Sequence, residues 1–591
     1  MKVLENRIFK LVGVPFDGDI TYQQHDGMYV KYDGKNAVIG YGEKAHAARA
    51  LFQLATAVKN NATELELDQK PQFSTLGVML NSTSALQSVD GLKKYVDYLA
   101  AMGMNMLMLY TEDAYQMEAY PYFGHQKPRY TIEEFRTIDE YAKEMGVEMI
   151  PCIQTLAHLR GYLKWPEAKK IAQTDWTLMV GEEETYKFIE EEIKTMRKGY
   201  SSRRIHIGMD EASDLGYYKY MQKNGYRNRF DIFNEHLKRV VEICKKYDFQ
   251  PMIWSDMYFS LGGKQRYDYD ELVEVPREAI EKMPDVGMVF WDYYHDYQSF
   301  YDINIEKHQS FGKETYFAGA VWDFDGYAPN FAYSLKTMRP ALTACCQKGI
   351  KHVFSTTWGS GETHYMDTLL MLPIFSEMCY LGENCKDEDI YKMVLQLRGA
   401  SKEYIEALSA LYLGLDGWAS ATQRLVDTDT LINLTHYELD YDFSIAEYTK
   451  ALAIIQSYTE SENAEQIGVA FYSLLADICL EKSKLMKNLQ TKYKTGDKAY
   501  LKETAEKTLP QLSDKYAQFI DLLCKRWRDG YKSAHLEALT TDLYGTKGRV
   551  EYAAKVISEY LSGKIDRIGE LEVERLKGAT LLYPAANYHQ V

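Results

Sequence analysis

Two adjacent carboxylates, Asp210 and Glu211, close a short apolar stretch that begins at Arg204. Neighbouring side chains of a strand point to opposite faces, so both carboxylates can enter one site only if the chain turns just past the strand. Two carboxylates that lie close together shift each other's pKa, so one can stay protonated as an acid while the other stays ionised. An arbitrary Asp-Glu pair is usually a solvated loop end or a helix N-terminus. General acid–base chemistry is therefore predicted only if the surrounding elements build a site.

Further carboxylates, imidazoles, amides and aromatic rings follow other short apolar stretches. They are Asn81, Glu112, Asp113, His158, Trp254, Asp256, Trp291, Asp292, Tyr293, Tyr294, Asp296, Trp322, Trp358 and Glu362. A single buried indole is more often part of a core than of a ligand site. Three indoles at equivalent strand ends, Trp254, Trp322 and Trp358, favour a ligand site for the set. Such a site requires a fold that brings the ends of these stretches together.

The apolar stretches have the length of buried strands. They run over residues 76–80, 104–110, 148–153, 205–208, 251–254, 287–291, 316–321 and 352–356. Because helix-like sequence separates them, they predict an α/β fold with a closed (β/α)8 TIM barrel. A doubly wound open sheet would give a similar alternation, but no Gly-rich phosphate loop follows any of these stretches. In a barrel, the carboxyl ends of all strands meet at one rim, where catalytic residues lie.

The sequence on either side of the barrel differs from it. The N-terminal part holds short alternating stretches, over residues 28–31 and 37–39, followed by a helix-like run over residues 43–58. Towards the C-terminus the apolar residues follow helical spacing, as they do over residues 402–411, 445–458, 465–488, 501–527 and 547–561. We predict a small N-terminal α+β domain over residues 1–70, a catalytic barrel over 71–385 and a C-terminal helical domain over 386–591.

Composition and charge exclude several classes of partner. The chain has 591 residues and a formal charge of −16, so phosphate backbones and anionic membrane surfaces would be repelled. No stretch approaches the ~18 apolar residues of a membrane span, and charged residues interrupt the N-terminal sequence before a signal-peptide core could form. We expect a soluble cytoplasmic protein that binds neither nucleic acid nor membranes. The eight cysteines include no C-x-x-C pair and are expected to be buried free thiols rather than zinc ligands.

The stretch His206-Ile-Gly-Met-Asp210-Glu211 resembles the His-x-Gly-x-Asp-Glu strand of glycoside hydrolase family 20, the β-N-acetylhexosaminidases. The resemblance extends along the barrel, over residues 102–113, 154–158, 252–256 and 357–359. A small α+β domain also precedes the barrel in that family, whereas the C-terminal helical third matches only a subgroup of bacterial members.

The resemblance implies an exo-acting retaining β-N-acetylhexosaminidase. Its substrate would be a small oligosaccharide or glycoconjugate with a terminal β-GlcNAc or β-GalNAc. The family is an exception among retaining glycosidases because the 2-acetamido group of the sugar, rather than an enzyme carboxylate, attacks C1. No metal or organic cofactor is implied, and the oligomeric state stays open.

Each matched position carries an implied role. Glu211 would be the general acid and base, and Asp210 would accept the acetamido N–H. The substrate-binding positions are those that would surround the sugar, hydrogen-bond its acetamido oxygen, bind its outer hydroxyls or support the catalytic pair. They are Trp254, Trp322, Trp358, Tyr294 with Tyr293 as the next choice, Glu362, Asp113 and His158. His206 is also expected to hydrogen-bond a catalytic carboxylate.

The first barrel stretch departs from the family pattern. Members begin it with an Arg that grips sugar hydroxyls and continue with an Asp, where this chain has Leu76 and Asn81. Leucine cannot replace the hydrogen bonds of a bidentate cation, and Arg129 of another loop is a candidate substitute. The departure leaves open two alternatives, a non-catalytic sugar-binding protein on the same fold and a glycosidase for a modified hexosaminide. A barrel glycosidase with an enzyme nucleophile is a third.

Overall fold

The computed structural model describes residues 1–263, 269–413, 421–433 and 439–575. These residues form two compact units. The first unit contains residues 1–320, 334–357 and 372–393, and the second contains 321–333, 358–371 and the described residues from 394 onward. Within the described ranges, no helix has both the length and the apolarity needed to cross a bilayer. Residues 576–591 of the predicted C-terminal domain lie outside the described part.

A four-stranded sheet and two helices form the N-terminal part of the first unit. In chain order they are α1 (Lys2–Val12), β1 (Ile20–Gln24), β2 (Met28–Tyr32), β3 (Ala37–Tyr41), α2 (Lys44–Lys59) and β4 (Leu65–Gln69). The strands lie in the order β1-β3-β2-β4, and α2 packs on β2 and β3. The sequence predicted β2, β3 and α2. It missed the edge strands β1 and β4, because neither has a buried residue that would give an apolar alternation.

Eight parallel strands close into a barrel in the first unit, which confirms the predicted fold class. They are β5 (Thr75–Asn81), β6 (Met106–Tyr110), β7 (Glu148–Cys152), β8 (Arg204–His206), β9 (Gln250–Trp254), β10 (Gly287–Trp291), β11 (Thr315–Ala320) and β12 (His352–Thr357). The barrel closes because the last strand, β12, pairs with the first, β5. Consecutive strands also pair, including β8 with β9. The strands are mostly apolar because both of their faces are largely buried.

The remaining α-helices of this part of the chain lie between successive strands, except the last helix, which follows β12. They are α3 (Val89–Met102), α4 (Ile132–Met145), α5 (Arg160–Leu163), α6 (Glu183–Gly199), α7 (Tyr218–Asn224), α8 (Arg229–Lys246), α9 (Asp256–Ser260), α10 (Arg277–Glu281), α11 (Gln298–Ser310), α12 (Phe331–Gln347) and α13 (Pro373–Leu381). Helix α4 begins at a capping box, in which Thr131 and Glu134 each bond the other's backbone N–H.

The C-terminal part of the chain is helical. Its helices are α14 (Asp387–Arg398), α15 (Lys402–Tyr412), α16 (Ala421–Asp427), α17 (Tyr441–Gln456), α18 (Val469–Lys494), α19 (Lys498–Glu503), α20 (Leu509–Gly530), α21 (Leu536–Leu561) and α22 (Gly569–Glu572). Two segments from earlier in the chain belong to the same unit. The Tyr412 hydroxyl donates to the Phe324 carbonyl at 3.0 Å, and the Tyr472 hydroxyl donates to Asp367 at 2.6 Å. The loops that follow β11 and β12 are therefore built into the helical unit.

Candidate active site

A sharp turn follows β8 and presents the two adjacent carboxylates. The strand ends at His206, earlier than the predicted end at Gly208. Beyond it, φ is +66° at Gly208, +77° at Met209 and +50° at Glu211. Non-glycine residues rarely adopt such left-handed conformations, and strain of this kind is often found at functional sites. Gly208 is required for a second reason, since a Cβ there would lie 2.0 Å from a side-chain oxygen of Gln154.

His158 lies between the two carboxylates. Its Nε2 is 3.1 Å from Oδ2 of Asp210 and 3.3 Å from Oε2 of Glu211. Asp210 is buried, whereas the Glu211 side chain is 48% exposed. Burial disfavours the charged imidazole, but the charge and hydrogen bonding of Asp210 and Glu211 outweigh it and hold the pKa of His158 well above its usual value. The imidazole is therefore a cation that both carboxylates share.

Gln154, at the end of β7, fixes the other side of Asp210. Its Nε2 donates to Asp210 Oδ1 at 2.7 Å and to the Tyr110 hydroxyl at 2.9 Å. Its Oε1 accepts the backbone N–H of Met209 at 3.1 Å, which also holds the turn. Burial opposes ionisation of Asp210, but His158 and Gln154 together keep the pKa of this carboxyl below its usual value. Asp210 is thus an oriented, ionised acceptor.

Glu112 extends this network from the loop after β6. It accepts the Tyr110 hydroxyl at 3.1 Å and has φ +40°. Burial raises the pKa of Glu112 to about 7, although His158 and Lys127 act in the opposite direction. No role was predicted for Gln154 or Tyr110. The signal that would have singled out Gln154 is an amide directly after a buried strand, four residues before His158.

Elements around the turn fix the backbone of Glu211. The backbone N–H of Glu211 donates to Oδ2 of Asp256, the buried first residue of α9, at 2.9 Å. His206 does not take the predicted role, since its Nδ1 accepts the N–H of Gly208 at 3.1 Å and thereby supports the turn. Burial lowers the pKa of His206 to about 3. Trp254 is only 2% exposed, and its ring lies 4.3 Å from the His206 ring.

Two other predicted positions of the first unit, Asp113 and Tyr294, lie on the loops that follow β6 and β10. Asp113 is buried and forms an ion pair with Lys127. The ring of Tyr294 lies 4.5 Å from that of Tyr293, and its backbone N–H donates to Asp292 at 3.1 Å. Burial, and then the neighbouring Tyr294 and Glu211 side chains, raise the pKa of Tyr293 well above its usual value. The Tyr293 hydroxyl is thus neutral, and it lies close enough to Glu211 for the carboxylate charge to affect its pKa.

The remaining predicted positions belong to the second unit. Trp322 is buried and stacks on Phe324 at 4.4 Å. Asp323 accepts the backbone N–H groups of Trp358 at 3.0 Å and of Gly359 at 3.3 Å. Glu362 accepts the backbone N–H of Ser360 at 3.2 Å. The binding roles of Trp322, Trp358 and Glu362 stay predictions.

The positions that depart from the family pattern have ordinary structural partners. Leu76 is buried in β5, and Oδ1 of Asn81 accepts the Thr83 backbone N–H at 3.2 Å. The Arg129 guanidinium donates to the carbonyls of Phe123 at 2.6 Å and of Pro121 at 3.3 Å. Arg129 therefore supports its own loop, and its proposed replacement of the missing arginine stays a prediction.

The same trio also has the composition of a metal site. One ligand atom from each of His158, Asp210 and Glu211 lies within 4.8 Å of the other two. A divalent ion could be held there by one nitrogen and two carboxylate oxygens. The raised pKa of His158 favours a proton on the imidazole at this point.

Two segments of the chain match described protein families. Residues 73–282 match the family described as "Glycosyl hydrolase family 20, catalytic domain". Residues 423–581 match the one described as "Glycoside Hydrolase 20C C-terminal domain". The first match contains β5 to β9 and hence the turn with Asp210 and Glu211.

Individual relatives are distant. "Beta-hexosaminidase A" of Caenorhabditis elegans is 23% identical over 33% of this chain and 40% of its own length. "Beta-hexosaminidase" of Porphyromonas gingivalis is 23% identical over 39% of this chain and 35% of its own length. The chain thus covers well under half of these relatives. The solved Streptomyces plicatus N-acetyl-beta-hexosaminidase has a TM-score of 0.50 and 16% identity, over 68% of this chain and 89% of that one, and shares the fold.

Proposed function

The chain belongs to glycoside hydrolase family 20, and from this premise we propose that it is an exo-acting retaining β-N-acetylhexosaminidase that removes terminal β-GlcNAc or β-GalNAc. The observation that carries the proposal is the position of His158, within 3.1 Å of Asp210 and 3.3 Å of Glu211. This arrangement supports an ionised Asp210 beside a Glu211 side chain that is half-exposed and can reach a substrate.

Asp210 would orient and stabilise the reacting acetamido group. In the first step the acetamido carbonyl oxygen attacks C1, and the bond from C1 to the leaving oxygen breaks with retention of the acetyl group on the sugar. Positive charge then develops on the acetamido nitrogen, whose N–H would be donated to Asp210. A preorganised carboxylate stabilises such charge more in the transition state than in the ground state. Gln154 and His158 keep that carboxylate fixed and ionised.

Glu211 would move the proton. Its carboxyl donates a proton to the leaving oxygen and, once ionised, accepts one from the water that attacks C1 and reopens the bicyclic intermediate. The half-exposed side chain can reach a bound glycoside, while the bond to Asp256 fixes its backbone. The two inversions at C1 give net retention.

Hydrolysis of 4-nitrophenyl β-GlcNAc, β-GalNAc and β-glucoside tests this proposal. We expect wild type to cleave only the acetamido sugars, and Glu211→Gln to lower kcat/KM on them by about 10²–10⁴-fold. Glu140→Gln, on the exposed face of α4, is the matched control. Equal cleavage of the glucoside would indicate an enzyme nucleophile. Sugar binding without turnover would indicate the non-catalytic alternative.

A further inference from the structure

The segment that follows Glu211 is an irregular loop, and one guanidinium binds its backbone. Arg229, the first residue of α8, donates its Nε–H to the Leu215 carbonyl at 2.9 Å. Its Nη2 donates to the carbonyls of Ser213 at 2.8 Å and of Ala212 at 3.4 Å. Because the loop belongs to neither a helix nor a strand, these charge-assisted bonds supply a restraint that regular structure does not provide.

The position of Arg229 is unfavourable for the helix that carries it. The N-terminal end of a helix has a partial positive charge, so a cation in the first turn is electrostatically disfavoured. Asn228 already caps this end of α8, and Asp231 supplies an acidic residue in the first turn. The Arg229 guanidinium also lies 4.8 Å from the ring centroid of Tyr217, an exposed side chain of the same loop. The contacts with the Glu211 loop therefore explain an arginine at this position, whereas the stability of α8 does not.

A buried carboxylate holds the loop at its other end. Asp256 is fully buried, and its Oδ2 accepts the backbone N–H of Glu211 at 2.9 Å. The preceding residue, Ser255, is itself fixed, since its Oγ lies 2.7 Å from the Tyr269 hydroxyl and 2.7 Å from Nε2 of His308. Glu211 has φ +50° and a side chain that is 48% exposed. A half-exposed side chain has few contacts of its own, so the position of its carboxyl depends on how the backbone is held.

We propose that Arg229 and Asp256 are positioning residues for the general acid, and that together they hold the Glu211 carboxyl at the oxygen of the leaving group. The inference rests on the proposed function, because a Glu211 that protonates this oxygen requires a fixed position. General acid catalysis needs the donor within hydrogen-bond reach of the oxygen, and a misplacement of about 1 Å costs about 100-fold in rate. In this role Asp256 fixes the N–H of Glu211 and Arg229 fixes the carbonyls that follow it.

Two aryl glycosides of GlcNAc that differ in their need for an acid separate this role from a general effect on the site. Phenoxide leaves well only when it is protonated, whereas 2,4-dinitrophenoxide leaves as a stable anion. Arg229→Met keeps an apolar stem against Tyr217 but loses the three bonds to the loop. We expect it to lower kcat/KM about 10–100-fold on phenyl β-GlcNAc and at most about twofold on 2,4-dinitrophenyl β-GlcNAc.

Arg239→Met is the matched control. Arg239 also lies in α8 and stacks on a tyrosine, Tyr186, at 3.5 Å, but its guanidinium bonds the Glu183 side chain instead of the catalytic loop. This variant should change neither activity.

Conservative replacement of Asp256 tests the other anchor. Asp256→Asn keeps an oxygen that can accept the Glu211 N–H, whereas Asp256→Ala does not. We expect Asp256→Asn to retain most of the activity on phenyl β-GlcNAc that Asp256→Ala loses. An equal loss in the two variants would overturn the role of Asp256 as a hydrogen-bond anchor.

The remaining outcomes are decisive for Arg229. An equal loss on both glycosides would mean that Arg229 supports the fold of the site rather than the position of the acid, and no loss on either would mean that the loop holds its position without Arg229; either result overturns the proposal. If wild type cleaves neither glycoside, the proposed function fails, and hydrogen–deuterium exchange of the amides of residues 212–217 tests the anchor separately. Faster exchange in Arg229→Met than in wild type and Arg239→Met would then support it, and equal exchange would overturn it.

Discussion

Two buried aspartates, one in each unit, follow barrel strands and differ in their protonation. Asp210 follows β8 and faces the His158 imidazole and the Gln154 amide, which keep its pKa below the usual value. Asp323 follows β11 and accepts backbone N–H groups of Trp358 and Gly359. Burial raises the pKa of Asp323 to about 7 in spite of these bonds. Burial acts the same way on both carboxyls, so the neighbouring cation decides which one is ionised.

The largest expected effect is an opposite change in stability when each aspartate becomes asparagine. At pH 8, Asp323→Asn should raise the free energy of unfolding by up to about 4 kcal/mol, because a raised carboxyl pKa destabilises the ionised folded state. Asp210→Asn should lower it by about 3 kcal/mol or more, since it breaks a buried ion pair. Urea unfolding at pH 8 measures both changes.

The stability contributions of Asp210 and Asp323 should also depend on pH in opposite ways. The stability that comes from the raised folded pKa of Asp323 is fully present below the unfolded pKa of an aspartate, about 4, and is lost gradually as pH rises through about 7. At pH 4, Asp323→Asn should therefore differ little from wild type. The contribution of Asp210 is present above that unfolded pKa and is lost as pH falls through its lowered folded pKa. Destabilisation by Asp323→Asn at pH 8 would contradict the raised pKa of Asp323.

A smaller effect is expected when the cation beside Asp210 is removed. His158→Gln keeps a hydrogen-bond donor but cannot carry a charge, so the pKa of Asp210 should rise. Because the proposed mechanism requires an ionised Asp210, the acid limb of kcat/KM should move to higher pH by the same amount. The pH profile of hydrolysis of 4-nitrophenyl β-GlcNAc measures this shift. His125→Gln, an exposed histidine, should leave the limb in place, and an unmoved limb in His158→Gln would show that the imidazole does not keep Asp210 ionised.

The barrel could be predicted because it has local signals, and the adjacent carboxylates that follow β8 also have one. Apolar runs of strand length and the Asp210-Glu211 pair are both visible along the chain. The Gln154 and Tyr110 network was not predictable, because it depends on which side chains of neighbouring strands β6, β7 and β8 meet. The sequence also could not show that residues 321–333 and 358–371 belong to the same unit as the C-terminal helices. Their place in this unit depends on bonds between residues far apart in sequence, such as that of Tyr412 to Phe324.

The smallest of these effects concerns the amide on the other side of Asp210. Gln154→Leu removes one hydrogen bond to a charged group, which costs about 1.5 kcal/mol and corresponds to about a tenfold loss in kcat/KM. Gln154→Glu should instead move the acid limb to higher pH, because a second carboxyl adjoins Asp210. Steady-state kinetics of both variants against wild type between pH 5 and pH 8 provide the measurement. Unchanged kinetics in both variants would show that the Gln154 amide does not support Asp210 in the reaction.

The proposed role of Asp210 is tested by calorimetric titration with GlcNAc-thiazoline, a bicyclic analogue of the acetamido-derived intermediate. If an ionised Asp210 stabilises that intermediate, wild type should bind the thiazoline at least about 100-fold more tightly than GlcNAc. Asp210→Asn should lose most of this advantage while still binding GlcNAc. Equal binding of the thiazoline by wild type and Asp210→Asn would contradict the claim.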